Sequence, residues 1–408
     1  MTLTLAAADY ARLLTDPYAM YPQLRAAGAP IYAPALDAWL LVNYADVDAA
    51  TRHPMLARSL AAQQTPAERQ ADQRARNWHD MPNHEAYVQF SLLEDDGAVH
   101  ERLRLLLLGH FTRTFVARYG PVIEKLVAAQ LEPLLGAGVI DFIADLAAPL
   151  PGRVIARVLG VADADADQLR QWSEDIVQFF DADRTPAHKT LAEASTTAFA
   201  DYLKLEINAR RRAPRDDLLS LLTTAEVAGQ LSQQELISTA MLILMAGNGS
   251  TIDALGTGLL ASLRHPQQLT QLRRDPTALG TAVLEMMRYE SPLPYFHRLA
   301  REPVTLAGKR WDAGTRFGLL YGAANRDPAA FDDPDRFDCR RQPNRHLAFG
   351  RGIHLCLGNH LSQLVMRNLF AQLLSNTRDL AALDATPDYR PGLTARGLRS
   401  LRLALTPV

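Results

Sequence analysis

The 408-residue sequence predicts a mainly α fold with a minor β-region, and three observations carry that expectation. Ala- and Leu-rich runs at helical spacing fill residues 116–230. A single apolar helical pattern continues for more than thirty residues, from the Ser232 and Glu235 capping pair to about 265, where Pro266 lies just beyond. Short β-rich runs with glycine turns concentrate in about 1–55 and 293–408, leaving about 96–290 mainly helical. With no internal repeat or low-complexity tract, the expectation is one integrated domain over 1–408.

In chain order, the opening segment reads as a short helix, two strands centred on 30–32 and 39–42, and another helix, which together imply a small N-terminal sheet. From 56 to about 94 the composition turns polar and charged (QQTPAERQADQRARNWHDMPNHE), as in a long irregular excursion with short helices, read here as a lid over a pocket. The run DDGAVHERLRLLLLGHFT opens a helix with His100 and Arg104 four apart on one face, a spacing that a surface pair shares. VIEKLVAAQLEPLL, APLPGRVIARVLGV and ADQLRQWSEDIVQFF follow as helices, and the polar break DADRTPAH at 181–188 separates two helices.

The long helix reads AGNGST at its centre, from Ala246 to Thr251. Two glycines there cost about 1 kcal/mol each relative to alanine, so a local kink or π-bulge is expected, opening a groove for a small ligand such as dioxygen. The next helix, ALGTAVLEMMRYESP, sets Glu285 and Arg288 three apart, an arrangement common on surfaces. SPLPYFHRLA and PVTLAGKRWDAGTRFGLLYGAANRD read as short strands with AGK and AGT turns, and 376–408 as hairpin strands.

A net charge of −2 gives no general reason to expect nucleic acid as a partner. Two cysteines, Cys339 and Cys356, cannot build a disulfide framework, which fits a reducing compartment. The start lacks a basic n-region and reaches Asp9 before any long apolar run, so it does not read as a signal peptide. No stretch approaches the roughly 18–20 apolar residues of a spanning helix. The expectation is a soluble, cytoplasmic protein.

FGRGIHLCLG, from Phe349 to Gly358, sets Cys356 between glycine turns and the apolar helical run NHLSQLVMRNLFAQLL. A thiolate at or just before a helix N-terminus is favoured by unpaired N–H groups and the helix dipole, and it is the metal-binding form of cysteine. Gly350 and Gly352 permit positive φ and let backbone approach something flat, while Phe349 can cover the sulfur. One thiolate alone does not suit structural zinc or an iron–sulfur cluster; it suits the axial position of a haem. A lone cysteine beside a glycine turn is more often a buried free thiol, and the surroundings decide the matter.

Matched at Phe349, Gly352, Cys356 and Gly358, with His354 fitting a common bacterial form, this string resembles the FxxGxxxCxG haem-binding loop of the cytochrome P450 superfamily. The resemblance covers nearly the whole chain and implies the cytochrome P450 fold, with a long central helix over a buried haem b (iron protoporphyrin IX) ligated by Cys356. It implies propionate contacts from His100, Arg104 and Arg298, further haem contacts from Ala246, Phe349, Gly350, His354 and Gly358, and a structural network of Glu285, Arg288 and Arg336 supported by NRDPAAFDDPDRFD. Leu293, Pro294, Tyr295 and Phe296 would line the substrate pocket, with ordinary core packing as the alternative for the two aromatics. The helices flanking the 181–188 break would roof the cavity.

The resemblance further implies a monomeric monooxygenase that inserts one oxygen atom into a hydrophobic small molecule, a secondary metabolite or terpenoid-like compound. Electrons would come from a ferredoxin-type redox protein and an NAD(P)H-dependent reductase. Arg340, Arg341, Arg345 and Arg351 would face such a partner or form a solvated charge cluster.

One departure stands out. The family commonly has an acid followed by Thr, relaying protons, where this chain has Gly249 and Ser250. Gly249, Ser250 and Thr251 are therefore the candidate catalytic positions, with the Ser250 hydroxyl, water, or the substrate's own polar group completing the relay. The missing acid also admits an enzyme that uses nitric oxide or peroxide, and a non-catalytic haem sensor shares the same cysteine loop.

Overall fold

β-structure gathers at the two ends of the chain, as expected, because its strands are built by pairing early segments with late ones. In the computed structural model, which describes residues 3–28, 30–89, 91–180 and 185–408, the chain forms two compact units. The first comprises 1–57, 123–147 and 250–408; the second comprises 58–122 and 148–249. Residues 181–184 of the polar break at 181–188 lie outside the described residues.

Among the described residues ten strands form, all in the first unit: β1 (Ile31–Ala33), β2 (Ala38–Leu41), β3 (Leu56–Ala57), β4 (Val139–Asp141), β5 (Tyr295–Ala300), β6 (Val304–Leu306), β7 (Lys309–Trp311), β8 (Arg316–Leu320), β9 (Thr377–Ala382) and β10 (Arg402–Pro407). The main sheet runs β1-β2-β8-β5-β3. β2 lies parallel to β8, and β5 lies antiparallel to β8 with Arg298 opposite Phe317. Side chains alternate along a strand. Tyr295 accordingly enters the core of Leu13, Met20 and Tyr21, whereas Phe296 packs with Leu41, Phe317 and Tyr321. The expected C-terminal hairpin forms from β9 and β10, and β4 adds to β10 with Ile140 opposite Leu403. That strand lies in a stretch expected to be helical, and its three residues gain strand character only from their distant partner.

Six helices of the second unit are Pro66–Ala75, Ala98–Leu108, Pro149–Leu159, Ala166–Val177, Pro186–Arg212 and Leu218–Val227. Side-chain caps set several starts: Thr65 and Glu68 form a capping box, and the Asp217 carboxylate accepts the Ser220 N–H at 2.7 Å. Arg210, only 1 % exposed, ties three of these segments together. Its guanidinium donates to Asp217 at 2.9 Å, to Glu206 at 2.8 Å and to the Gly160 carbonyl.

The long helix is Gln233–Arg264, opened by the expected box: Ser232 N–H donates to Glu235 at 2.7 Å and Glu235 N–H donates to Ser232 Oγ at 3.2 Å. The π-bulge expected at AGNGST does not form, and the α-helix is continuous over 32 residues. Packing accounts for Gly247 and, farther along, Gly256, but not for Gly249, beside which no atom lies within 4 Å. A Cβ at Gly247 would stand 2.6 Å from Ile155 Cδ1, and one at Gly256 would stand 2.5 Å from Ile143 Cδ1. Close approach to these neighbours offsets the propensity cost. Among the described residues no helix is long and apolar enough to cross a membrane.

Candidate active site

Cys356 sits in a loop whose backbone bonds are almost all local. Gly350 N–H donates to the Leu347 carbonyl at 2.8 Å, Leu355 N–H to Gly352 at 3.1 Å, and Cys356 N–H to Phe349 at 2.9 Å. Gly350 and Gly352 take φ of 65° and 71°, the left-handed region that favours glycine. At Gly352 the requirement is double, because a Cβ would also lie 2.5 Å from the Thr51 carbonyl oxygen. After Cys356 the Asn359 side chain caps the cysteine's carbonyl at 2.7 Å, and the helix Asn359–Asn376 begins. The thiol is exposed on this loop, and His354 ends the short turn Gly352–His354 ahead of it.

Behind the loop lies a wholly buried ion pair. Arg288 donates to both Glu285 oxygens, at 2.7 and 2.8 Å, and both side chains are 0 % exposed. The remaining Arg288 donors reach the carbonyls of Asn325 and Pro334 at 2.8 Å and of Arg336 at 3.1 Å. Glu285 also accepts from the Asp338 N–H at 2.9 Å, Asn344 Nδ2 at 3.1 Å and Arg341 Nε at 3.2 Å. This corrects the expected triad. Arg336 contributes its main-chain carbonyl while its side chain is exposed, and the second guanidinium on Glu285 belongs to Arg341.

The link from this pair to the cysteine loop is Asn325, which is 0 % exposed. Its carbonyl takes the Arg288 N–H, its Nδ2 donates to Ser291 at 2.8 Å, and its Oδ1 accepts the Leu347 N–H at 2.6 Å. Leu347 in turn takes the Gly350 N–H. Asn325 opens the NRDPAAFDDPDRFD stretch expected to support this network, but its own linking role had no separate signal beyond a lone amide closing the apolar run GLLYGAA. His346 was also missed. Burial, with Arg288 and Arg351 nearby, lowers its pKa to about 3, so it is neutral and accepts the Ala348 N–H at 3.2 Å while its ring packs 5.7 Å from Phe349.

Three of the four arginines expected to face a redox partner are held by carboxylates of the fold: Arg340 by Asp275 at 2.6 Å, Arg341 by Glu285, and Arg351 by Asp48 at 3.3 Å. Arg345 is exposed. Of the expected pocket residues, Pro294 and Tyr295 are buried, and Leu293 and Phe296 are half-buried. Tyr295 is a core aromatic by its packing. Arg298 is 3 % exposed on β5, where its Nη1 donates to the His297 carbonyl at 2.9 Å.

In the second unit, His100 and Arg104 lie one turn apart on Ala98–Leu108. His100 is buried, and burial and then Arg104 lower its pKa, so the cation of this pair is Arg104 and the imidazole is a neutral hydrogen-bonding group. On the long helix Ala246 is exposed, Gly249 and Ser250 are half-buried, and Thr251 is buried. A Cβ at Gly249 would find no atom within 4 Å, so a side chain has room there and the chain supplies none.

The donor set fits a haem. Among the described residues no three His, Cys, Asp or Glu side chains come together to hold a metal ion, and a single exposed thiol on a glycine-shaped loop suits a group that needs one protein donor, as the haem of the expected site does. Comparison with known proteins agrees. The family model "Cytochrome P450" matches residues 168–379. The biotin biosynthesis cytochrome P450 of Bacillus subtilis (strain 168) is 33 % identical over 98 % of this chain and 99 % of its own length. Cytochrome P450 monooxygenase PikC of Streptomyces venezuelae is 36 % identical over 95 % of this chain and 90 % of its own. Among solved structures, CalO2 superposes with a TM-score of 0.89 at 30 % identity, covering 100 % of both chains. P450BioI, solved with hexadec-9Z-enoic acid ligated acyl carrier protein, gives 0.88 at 31 % identity, covering 97 % of this chain and 100 % of its own. The chain belongs to the cytochrome P450 family and is a monooxygenase of that family.

Proposed function

We propose that this P450 uses haem b to insert one atom of dioxygen into a hydrophobic small molecule of the secondary-metabolite kind. Its electrons come from an external ferredoxin-type protein and an NAD(P)H-dependent reductase, and it works as a cytoplasmic monomer. The observation that carries the reading is the exposed Cys356 thiol on a loop held from behind by Glu285, Arg288 and Asn325. When bound, a thiolate-ligated haem supplies the oxidising chemistry, because electron density from sulfur favours O–O cleavage. Cys356 is the iron ligand, and Arg298, Arg104 and neutral His100 are the donors for the propionates. Ala246, Phe349, Gly350, His354 and Gly358 make the remaining contacts. Ser250 holds the hydroxyl that passes protons, with Thr251 as its neighbour and no carboxylate at Gly249.

The substrate class draws support from relatives named as a polyketide biosynthesis cytochrome P450 and a 6-deoxyerythronolide B hydroxylase, 34 and 33 % identical to this chain. A fatty acyl chain presented on a carrier protein is the second reading, favoured by the likeness to P450BioI. Leu293 and Phe296, the half-buried pair, are its proposed contacts in either case.

The test is spectroscopic and catalytic. Reduced, haem-loaded protein with carbon monoxide should show the red-shifted Soret band of thiolate ligation, and Cys356→Ala should lose it; a mutant that keeps the band refutes the ligand. Product should require dioxygen, ferredoxin and reductase together, and free against carrier-bound substrates separate the two substrate readings. Direct NADH consumption with nitric oxide and no redox partner would instead favour the nitric oxide chemistry.

A further inference from the structure

Leu293 stands in a short, stiff run. Pro292 and Pro294 fix φ on either side of it, and each proline also restricts the residue before it, so Ser291–Pro294 moves as a body whose anchors decide where it sits. Of residues 291–295 only Leu293 is not buried. Its neighbours are tied to separate parts of the first unit. Ser291 N–H donates to the phenol oxygen of Tyr18, on the helix Pro17–Ala27, at 2.7 Å, and Ser291 Oγ takes the Asn325 amide at 2.8 Å. The Pro292 carbonyl takes the Arg396 N–H at 2.9 Å, and the Pro294 carbonyl takes the Gly322 N–H at 3.1 Å. The Arg396 side chain returns to the same run. Its Nε donates at 2.9 Å to Glu290, the residue before Ser291, with Glu290 7 % and Arg396 6 % exposed. Its guanidinium lies 3.9 Å from the centre of the Tyr389 ring and 5.4 Å from that of Tyr18. The segment that carries Arg396 is itself fixed: Arg390 pairs with the buried Asp253, and Gly397 lies against that carboxylate with no room for a Cβ.

We infer that Tyr18, Glu290 and Arg396 are positioning residues for the substrate: they clamp the Ser291–Pro294 run on its buried side and thereby set where Leu293 meets a ligand's apolar chain. A buried ion pair adds little net stability over well-packed apolar side chains, whereas its directional bonds admit one geometry. Burial, and then Glu290, raise the Tyr18 pKa to about 12, so the phenol is a neutral hydrogen-bond partner for the Ser291 N–H. The clamp stands on these contacts alone, while its bearing on substrate rests on the proposed contact of Leu293.

The experiment uses full-length, haem-loaded protein and two probes, imidazole and 1-dodecylimidazole, which both ligate the iron through a ring nitrogen and differ by the alkyl chain. Spectral titration gives the ratio of their dissociation constants, which reports the contact made by the chain. Tyr18→Phe removes one hydroxyl, and Glu290→Met combined with Arg396→Met replaces the pair by apolar side chains and leaves no buried charge unpaired. The double variant should lower the preference for 1-dodecylimidazole by about tenfold, the worth of about two buried methylenes, and Tyr18→Phe should lower it less. Imidazole binding and the carbon monoxide band should match wild type in both, and Arg396→Lys, which keeps the charge, should keep most of the preference. Leu293→Ala is the control. If it lowers the preference while Tyr18→Phe and the double variant leave it unchanged, the inference is overturned. If Leu293→Ala changes nothing, the pocket reading fails, and crystal structures of wild type and double variant decide the clamp: a displaced Leu293 upholds it, and an unmoved one overturns it.

Discussion

The cysteine loop and the centre of the long helix are built on opposite terms. Around Cys356 nearly every degree of freedom is taken: two left-handed glycines, a chain of local N–H bonds, and a buried Glu285–Arg288 pair reaching the loop through Asn325. At Ala246–Thr251 the helix is regular, its side chains are small, and Gly249 faces open space. On the proposed function, the difference separates two tasks. Holding an iron ligand needs a rigid support, because a displaced sulfur loses the bond. Moving protons needs only a hydroxyl, water and room, which many arrangements provide.

The strongest way to break this contrast is at the buried pair. Glu285→Ala leaves the Arg288 charge unpaired at 0 % exposure, and loss of one partner from such a pair costs about 3–5 kcal/mol. A large fall in the urea midpoint is expected, with loss of the carbon monoxide band; an unchanged midpoint would mean the network does not brace the loop. Gly352→Ala should be milder. The left-handed conformation alone costs about 1–2 kcal/mol, and the Thr51 carbonyl at 2.5 Å from the new Cβ adds to it. Smallest, and opposite in sign, is Gly249→Ala: with no atom near the added methyl, helix propensity should raise stability by about 0.5–1 kcal/mol. Urea denaturation of the two glycine variants side by side gives a direct comparison, and equal signs would erase the distinction between the regions.

Much of the supported region was legible from residues alone. The loop announces itself because cysteine, glycine and the following helix are contiguous, and Glu285 and Arg288 share a helix turn. The partner of Glu285 was not legible. Arg336 and Arg341 are five residues apart, and the path of the intervening chain chose Arg341 and exposed Arg336. The helix centre failed for a related reason. Glycines suggest a break when their neighbours are unknown, but Gly247 and Gly256 face Ile155 and Ile143, each about a hundred residues earlier in the chain. β4 was missed likewise, since its partner β10 lies at the other end of the sequence.

By itself the sequence determined the helical character, the long capped helix, the glycine-shaped cysteine loop and the absence of an acid at Gly249, since each depends on residue types within a few turns of one another. Only the tertiary structure decided that Arg341 joins Arg288 on Glu285, that the helix runs unbroken through Gly247, and that Asn248 ends beside Gly152. Those outcomes depend on which distant surfaces meet, and burial gives a polar atom its consequence only after they have met.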